Sequence, residues 1–191
     1  MKDYTLVPLH TYTGETNTFT GLYFNFRSVT PGMIDIRDIA KGLSNNNRWF
    51  GQTKLPLSVA QHSVMVTWAA PDHLKKMALL HDAAEAYTGD INKPLKILLE
   101  PTISLIEARI MSAINQCFKL SVISYEAIKP FDLDVCRLEW EYFRRNNPAP
   151  LVEFLYEKSG VIHPDIWNHE VAEQMFLLEF SKHFPHHLIT P

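Results

Sequence analysis

Several ingredients are scarce in this sequence. Only two of its 191 residues are cysteine, Cys117 and Cys136. They are far apart and outside any CxxC pattern, so neither a disulfide framework nor a zinc ribbon is on offer, and both read as reduced, buried thiols. No apolar run approaches the roughly 18 residues that suggest a membrane span. The opening stretch, MKDYTLVPLHTYTG, has no apolar core of a secretory leader. Excess positive charge is missing too: 18 Lys+Arg stand against 21 Asp+Glu, a formal net charge of −3. A protein built to coat duplex nucleic acid would show the opposite balance. Together these lacks predict a cytoplasmic protein with no membrane or duplex nucleic-acid partner. A small anionic ligand stays compatible, since a pocket needs only a few local cations. Hydrophobic residues at 46% and charged residues at 20% exclude disorder, and the length suits one compact domain.

Patterning divides the chain unevenly. In Leu22-Tyr23-Phe24-Asn25-Phe26 apolar side chains alternate beyond Gly21, which predicts a short strand or hairpin. Pro31-Gly32 is a turn, and Ile36, Ile39, Ala40 and Leu43 have helical spacing that Asn45-Asn46-Asn47 stops. Everything beyond reads as helical. Ser58 caps a helix to about Ala70, with Val59, Val66 and Ala69/Ala70 on its apolar side. Pro71-Asp72 opens the next, running through His81 to about Thr88, where Gly89 ends it. Pro94 suits a first helical turn. Longer amphipathic stretches follow at about 103–118, 125–144 and 168–182, with loops at Asn146-Asn147-Pro148 and Ser159-Gly160. The expected fold is mostly α, a helical bundle with a small β-hairpin near the N-terminus.

Chemistry concentrates in Leu79-Leu80-His81-Asp82-Ala83-Ala84-Glu85-Ala86-Tyr87-Thr88-Gly89-Asp90. On a helix His81, Asp82 and Glu85 project within about one turn of each other. The preceding Met77-Ala78-Leu79-Leu80 is apolar on every side, so the helix is expected to be deeply buried. Charges at the end of a buried helix are costly unless paired or metal-bound. His62 lies three residues after Val59 and four before Val66, on the inward face of its own helix. Each histidine alone is as well explained by a core imidazole bonded to a carbonyl. Two of them on consecutive helices, one followed by an aspartate, favour a divalent ion held by mixed N/O ligands. Farther on, Asp132, Cys136 and Glu139 share one helical face while Asp134 lies about 160° away. Spacing alone does not choose between Asp132 and Asp134.

His62, then His81-Asp82, then a distal Asp resembles the HD superfamily of metal-dependent phosphohydrolases. The similarity extends through Ile34-Asp35-Ile36-Arg37-Asp38-Ile39-Ala40, Leu43-Ser44-Asn45, Arg48-Trp49-Phe50-Gly51 and Ser58-Val59-Ala60-Gln61-His62-Ser63. It looks like a phage and prophage branch related to bacterial 5′-deoxynucleotidases and phage dATP triphosphohydrolases. Gln61 stands where the deoxynucleotidases often have Glu, which bears on the subgroup. The resemblance implies one HD-type domain over residues 1–191, with a motif-bearing core at about 34–145. In the family the distal segment reads Val-Lys-x-Ala-Asp, followed seven residues later by Glu. Ile128-Lys129-Pro130-Phe131-Asp132 with Glu139 keeps that register, although Phe131 replaces the Ala.

The ligand set so implied is His62, His81, Asp82 and Asp132, with Asp134 in reserve, around one divalent ion (Mn, Co, Mg, Zn or Fe). Glu85 and Asp90 are implied as the acid/base pair; capping the next helix is the competing role for Asp90. Arg48, Trp49 and Lys96 are implied as substrate-binding residues, whereas Lys93 reads as a surface charge. His73, His163, His169, His183, His186 and His187 read as helix-start, loop or exposed tail residues. Trp140, Tyr142 and Phe143 read as core or subunit contacts. The expected activity is 5′-nucleotidase-like hydrolysis of deoxynucleoside monophosphates, or alternatively release of triphosphate from a dNTP. A catalytically silent nucleotide- or metal-binding regulator is the alternative of another class. A homo-oligomer is expected by analogy.

Overall fold

Every residue from Val59 to Thr67 is buried in helix α2 (Val59–Ala69), whose first turn is capped by Ser58 accepting from the Gln61 N–H at 3.1 Å. The one-sided apolar face expected for this segment is therefore corrected: α2 is the central helix and has no solvent side. It packs against α1 (Ile36–Asn45), α3 (Lys75–Leu80), α7 (Lys129–Arg145), α8 (Ala149–Ser159) and α9 (His169–His183). Val59, Ala60 and Val64 face a core with Ile39, Leu43, Leu79 and Phe176. Met65 and Val66 face a second core with Met77, Ile128, Val135 and Leu151. Two of the polar side chains caught in α2 find partners: Thr67 donates to the Ser63 carbonyl, and Gln61 accepts from the Trp167 N–H.

This computed structural model describes residues 14–120, 125–159 and 167–187. The leader reading of the first residues, Gly160, His163 and Pro164 lie outside them, as does the side chain of Phe143. Near the N-terminus β1 (Glu15–Asn17) and β2 (Tyr23–Asn25) pair antiparallel with Thr16 opposite Phe24. A two-stranded ribbon is not stable alone. Here Phe24 is fully buried and stacks on Tyr87, and buried Asp38 of α1 accepts from both the N–H and the hydroxyl of Thr20. The remaining helices are α4 (Glu85–Thr88), α5 (Lys93–Leu98) and α6 (Thr102–Cys117). The molecule is thus a helical bundle with one small hairpin, as the patterning predicts. Among the described residues no helix is long and apolar enough to cross a membrane.

The helix expected to run unbroken to Thr88 is interrupted at residues 81–84. The backbone tightens into bonds three residues long: Ala83 N to Leu80 O, Glu85 N to Asp82 O, Tyr87 N to Ala84 O. One cause is visible. The carbonyl of His81, which an α-helix would offer to the Glu85 N–H, instead accepts from the Tyr125 hydroxyl. Gly89, at φ 81°, ends α4 in a conformation that favours glycine. Against α4, α1 comes so close that a Cβ on Gly42 would lie 2.6 Å from the Ala86 carbonyl oxygen. Asn46 bonds the Glu85 carbonyl, so α1 also sets the height of Glu85.

Smaller expectations need correcting. His169 begins α9 rather than lying in a loop, because Asn168 caps that helix. His183 ends it, half-buried and beside Glu179, and His187 packs edge-on against Phe118, Phe180 and Phe184. Both cysteines are half-buried rather than buried.

Candidate metal centre and adjoining cleft

His62 comes from the middle of α2, His81 and Asp82 from the tightened turn after α3, and Asp132 from the first turn of α7. Donor atoms of His62, His81 and Asp132 all lie within 4.8 Å of one another, and Asp82 approaches both imidazoles. Nε2 of His62 lies 3.1 Å from Oδ1 of Asp132 and 3.7 Å from Oδ2 of Asp82. Nε2 of His81 lies 3.1 Å from Oδ2 of Asp82 and 4.0 Å from Oδ1 of Asp132. Asp134, on the opposite face of α7, points to solvent and pairs with Arg137. Asp132 is therefore the carboxylate of that segment that reaches the histidines.

The chemistry of these donors fits a divalent cation. His62 Nδ1 is 2.7 Å from Glu139 Oε1, and His81 Nδ1 is 2.8 Å from the Ala78 carbonyl oxygen. Both outer partners are acceptors, so each Nδ1 donates and each Nε2 is free to present a lone pair inward. Among the described residues neither Nε2, though buried, has an aligned hydrogen-bond partner. Ligand atoms around an ion at about 2.1 Å are separated by roughly 3.0–4.2 Å in tetrahedral or octahedral geometry. The four spacings quoted above fall in that window.

Without an ion, a proton does part of its work. Burial and Arg48 oppose a charged His62, but Glu139 and Asp132 outweigh them and hold it up to about 9. Burial pushes against ionisation of Asp82 and Asp132 too; the two imidazoles nevertheless pull both carboxyls below their usual range.

Arg48 sits at the edge of this cluster rather than free in a pocket. Its Nε donates to Glu139 Oε2 at 3.0 Å, its Nη2 lies 3.1 Å from Cys136 Sγ, and its Nη1 is 3.9 Å from Asp82. Trp49 and Phe50 follow in the left-handed region at φ 59° and 54°, a strained pair for non-glycine residues. The Trp49 ring is turned toward Trp140, centroids 5.4 Å apart, and its backbone N–H favours the ionised form of Asp90. Asp90 does not cap the next helix: Asn92 does, by accepting from Leu95 N. Burial raises the Asp90 carboxyl. Glu85 is pushed further, to about 10, by burial and by the neighbouring Asp82 and Asp90.

A cleft of about 900 Å³ opens from His81, Asp82 and Glu85 and runs along α6 past Lys96, Glu107 and Asn115. Lys96 is paired with Glu107, which keeps its ammonium charged despite burial. Arg48, Trp49 and Asp90 do not line this cleft, so the expected substrate-binding residues divide into two groups, Lys96 in the cleft and the Arg48-Trp49 pair beside the cluster. Two participants were not singled out from sequence for these roles. Glu139 is fully buried against His62 and Arg48, and Tyr125 fixes the His81 turn. The signal for Glu139 was available, an acid on the same face of α7 as Asp132; nothing local marked Tyr125.

No protein-family model matches the chain. It is 38% identical over 116 residues to the uncharacterized protein YfdR of Escherichia coli strain K12, a match covering 61% of this chain and 65% of that protein. It is 36% identical over 125 residues to an uncharacterized protein of Rhodobacter capsulatus, covering 59% of this chain and 64% of that one. The chain thus spans slightly under two thirds of the length of each relative.

Proposed function

We propose that the protein is a divalent-metal-dependent phosphohydrolase of the HD superfamily acting on (deoxy)nucleotides, with 5′-nucleotidase-like hydrolysis of deoxynucleoside monophosphates as its reaction. One observation carries the reading: two buried, inward-turned imidazole nitrogens meet two carboxylates from three separate helical segments. A divalent cation held there supplies charge neutralisation at a phosphoryl group and acidifies water.

The chain's own residues do the rest. Glu85, held up to about 10, keeps its proton at neutral pH and delivers it to the leaving oxygen. Asp90, whose ionised form the Trp49 N–H favours, takes a proton from the attacking water. The Nη1 edge of Arg48, facing Asp82, meets a phosphoryl oxygen at the rim of the cluster, and Lys96 supplies positive charge from the cleft wall.

The volume of about 900 Å³ lies near the top of the range for small-molecule sites, roughly 300–1,000 Å³. That room supports a dNTP, cleaved to deoxynucleoside and triphosphate, as the alternative substrate. We place the reaction in the cytoplasm, consistent with two free thiols, and expect a homo-oligomer.

The test is a screen of NMPs, dNMPs and dNTPs with Mn²⁺ or Co²⁺, following phosphate by malachite green and products by anion exchange. Phosphate and deoxynucleoside from a dNMP, abolished by His81→Ala and Asp82→Ala, is the expected outcome. Triphosphate as product selects the alternative. Metal uptake with no turnover of any nucleotide selects a non-catalytic regulator instead.

A further inference from the structure

Glu139 is fully buried and each of its oxygens is committed to a different donor: Oε1 to His62 Nδ1 at 2.7 Å, Oε2 to Arg48 Nε at 3.0 Å. We propose that Glu139 is a positioning residue that sets the tautomer of His62, and that Arg48 is the reason only a carboxylate can do so. This rests on the metal-binding reading of the cluster.

The argument is one of donor and acceptor supply. A guanidinium has five donors and no acceptor, so whatever faces Arg48 Nε must accept. An imidazole is adaptable and can donate or accept through Nδ1. A carboxylate offers an acceptor to both neighbours, which keeps the proton of neutral His62 on Nδ1 and the lone pair on Nε2, toward Asp82 and Asp132. A glutamine of the same shape has one acceptor oxygen. Arg48 cannot change role, so that oxygen goes to Arg48 and the amide NH₂ turns to His62. His62 Nδ1 must then accept, and its proton moves to Nε2, into the place of the cation. The substitution preserves volume and packing yet removes a metal-binding lone pair 77 residues away in sequence.

Glu139→Gln should therefore bind Mn²⁺ about 10–100-fold more weakly than wild type by isothermal titration at pH 9, the range seen when outer partners of ligating histidines are changed. At that pH proton competition at His62 is largely lifted in both proteins. The decisive comparison is Glu139→Gln/Arg48→Met. With the guanidinium gone, the glutamine oxygen is free to accept from His62 Nδ1–H, and Mn²⁺ affinity should return to within about threefold of wild type. A purely structural role for Glu139 predicts the opposite, since a second core change adds damage. Circular dichroism accompanies each titration. If the single variant does not fold, the double variant alone decides, folding and binding Mn²⁺ as wild type if the proposal holds. Undiminished affinity in Glu139→Gln, or a double variant as weak as the single, overturns the proposal and leaves the metal reading intact. A wild-type protein that takes up no Mn²⁺ overturns the metal reading itself.

Discussion

Raising the pH from 6.5 to 8.5 is expected to strengthen Mn²⁺ binding about eightyfold. In the metal-free chain His62 is held up to about 9, because Glu139 and Asp132 outweigh burial and Arg48. Its Nε2 therefore carries a proton that an incoming ion must displace. With that value the neutral fraction of His62 is about 0.3% at pH 6.5 and about 24% at pH 8.5. The ratio corresponds to about 3 kcal/mol of binding free energy regained, and the logarithm of affinity rises nearly one unit per pH unit across the window. Calorimetric titration at each pH, repeated in two buffers of different ionisation enthalpy, measures both the affinity and the protons released. Close to one proton from His62 should appear at pH 7. Affinity that stays flat across the window, or uptake without proton release, would mean that the ion does not sit at His62 Nε2.

Four further outcomes follow from the same geometry. Asp132→Asn should lower Mn²⁺ affinity at least tenfold while Asp134→Asn leaves it unchanged, because only the former side chain faces the histidines; equilibrium dialysis distinguishes them. Glu85→Gln should abolish phosphate release while retaining the metal, read by turnover beside calorimetry, since the lost group is a proton donor rather than a ligand. Gly42→Ala puts a Cβ 2.6 Å from backbone of α4 and should cost about 1–3 kcal/mol, a fall of roughly 2–12 °C in melting temperature. Finally, the metal-free fold should lose stability as pH rises. The folded value of His62 lies above its unfolded one, so its contribution is complete below about 6.5 and gone above 9; the shift amounts to about 3 kcal/mol. Thermal melts between pH 6.5 and 9 in chelator check the sign, and a flat or rising curve contradicts it.

Much of the architecture is local chemistry and was legible along the chain. Ser58 and Gly89 mark helix ends through capping and left-handed backbone, and those ends fall where the residues predict. His62 and the His81-Asp82 pair stand out because polar groups in apolar helices demand partners. Asp132 and Asp134 could not be separated by spacing alone, since a helix face has meaning only once its neighbour is known. The packing of α7 on α2 turns Asp132, not Asp134, toward His62.

Other features depend on groups far apart in sequence. The break at residues 81–84 reflects the Tyr125 hydroxyl taking the His81 carbonyl from 44 residues away, which no local propensity encodes. Likewise α2 reads as amphipathic only until five helices surround it. Arg48 illustrates the difference most clearly. As a residue type it is a phosphate fork, but burial beside Glu139 and Cys136 leaves only its Nη1 edge for other work.

The amino-acid order by itself determined most of the helices, several of their ends, the hairpin and which residue types were too costly to bury without partners, because each of these is settled within a few residues of chain. Which donors meet, which imidazole nitrogen is left open and which carboxylate serves two masters were decided only by tertiary packing, because hydrogen bonds and Coulomb forces act across the few ångströms that folding closes and sequence distance does not record.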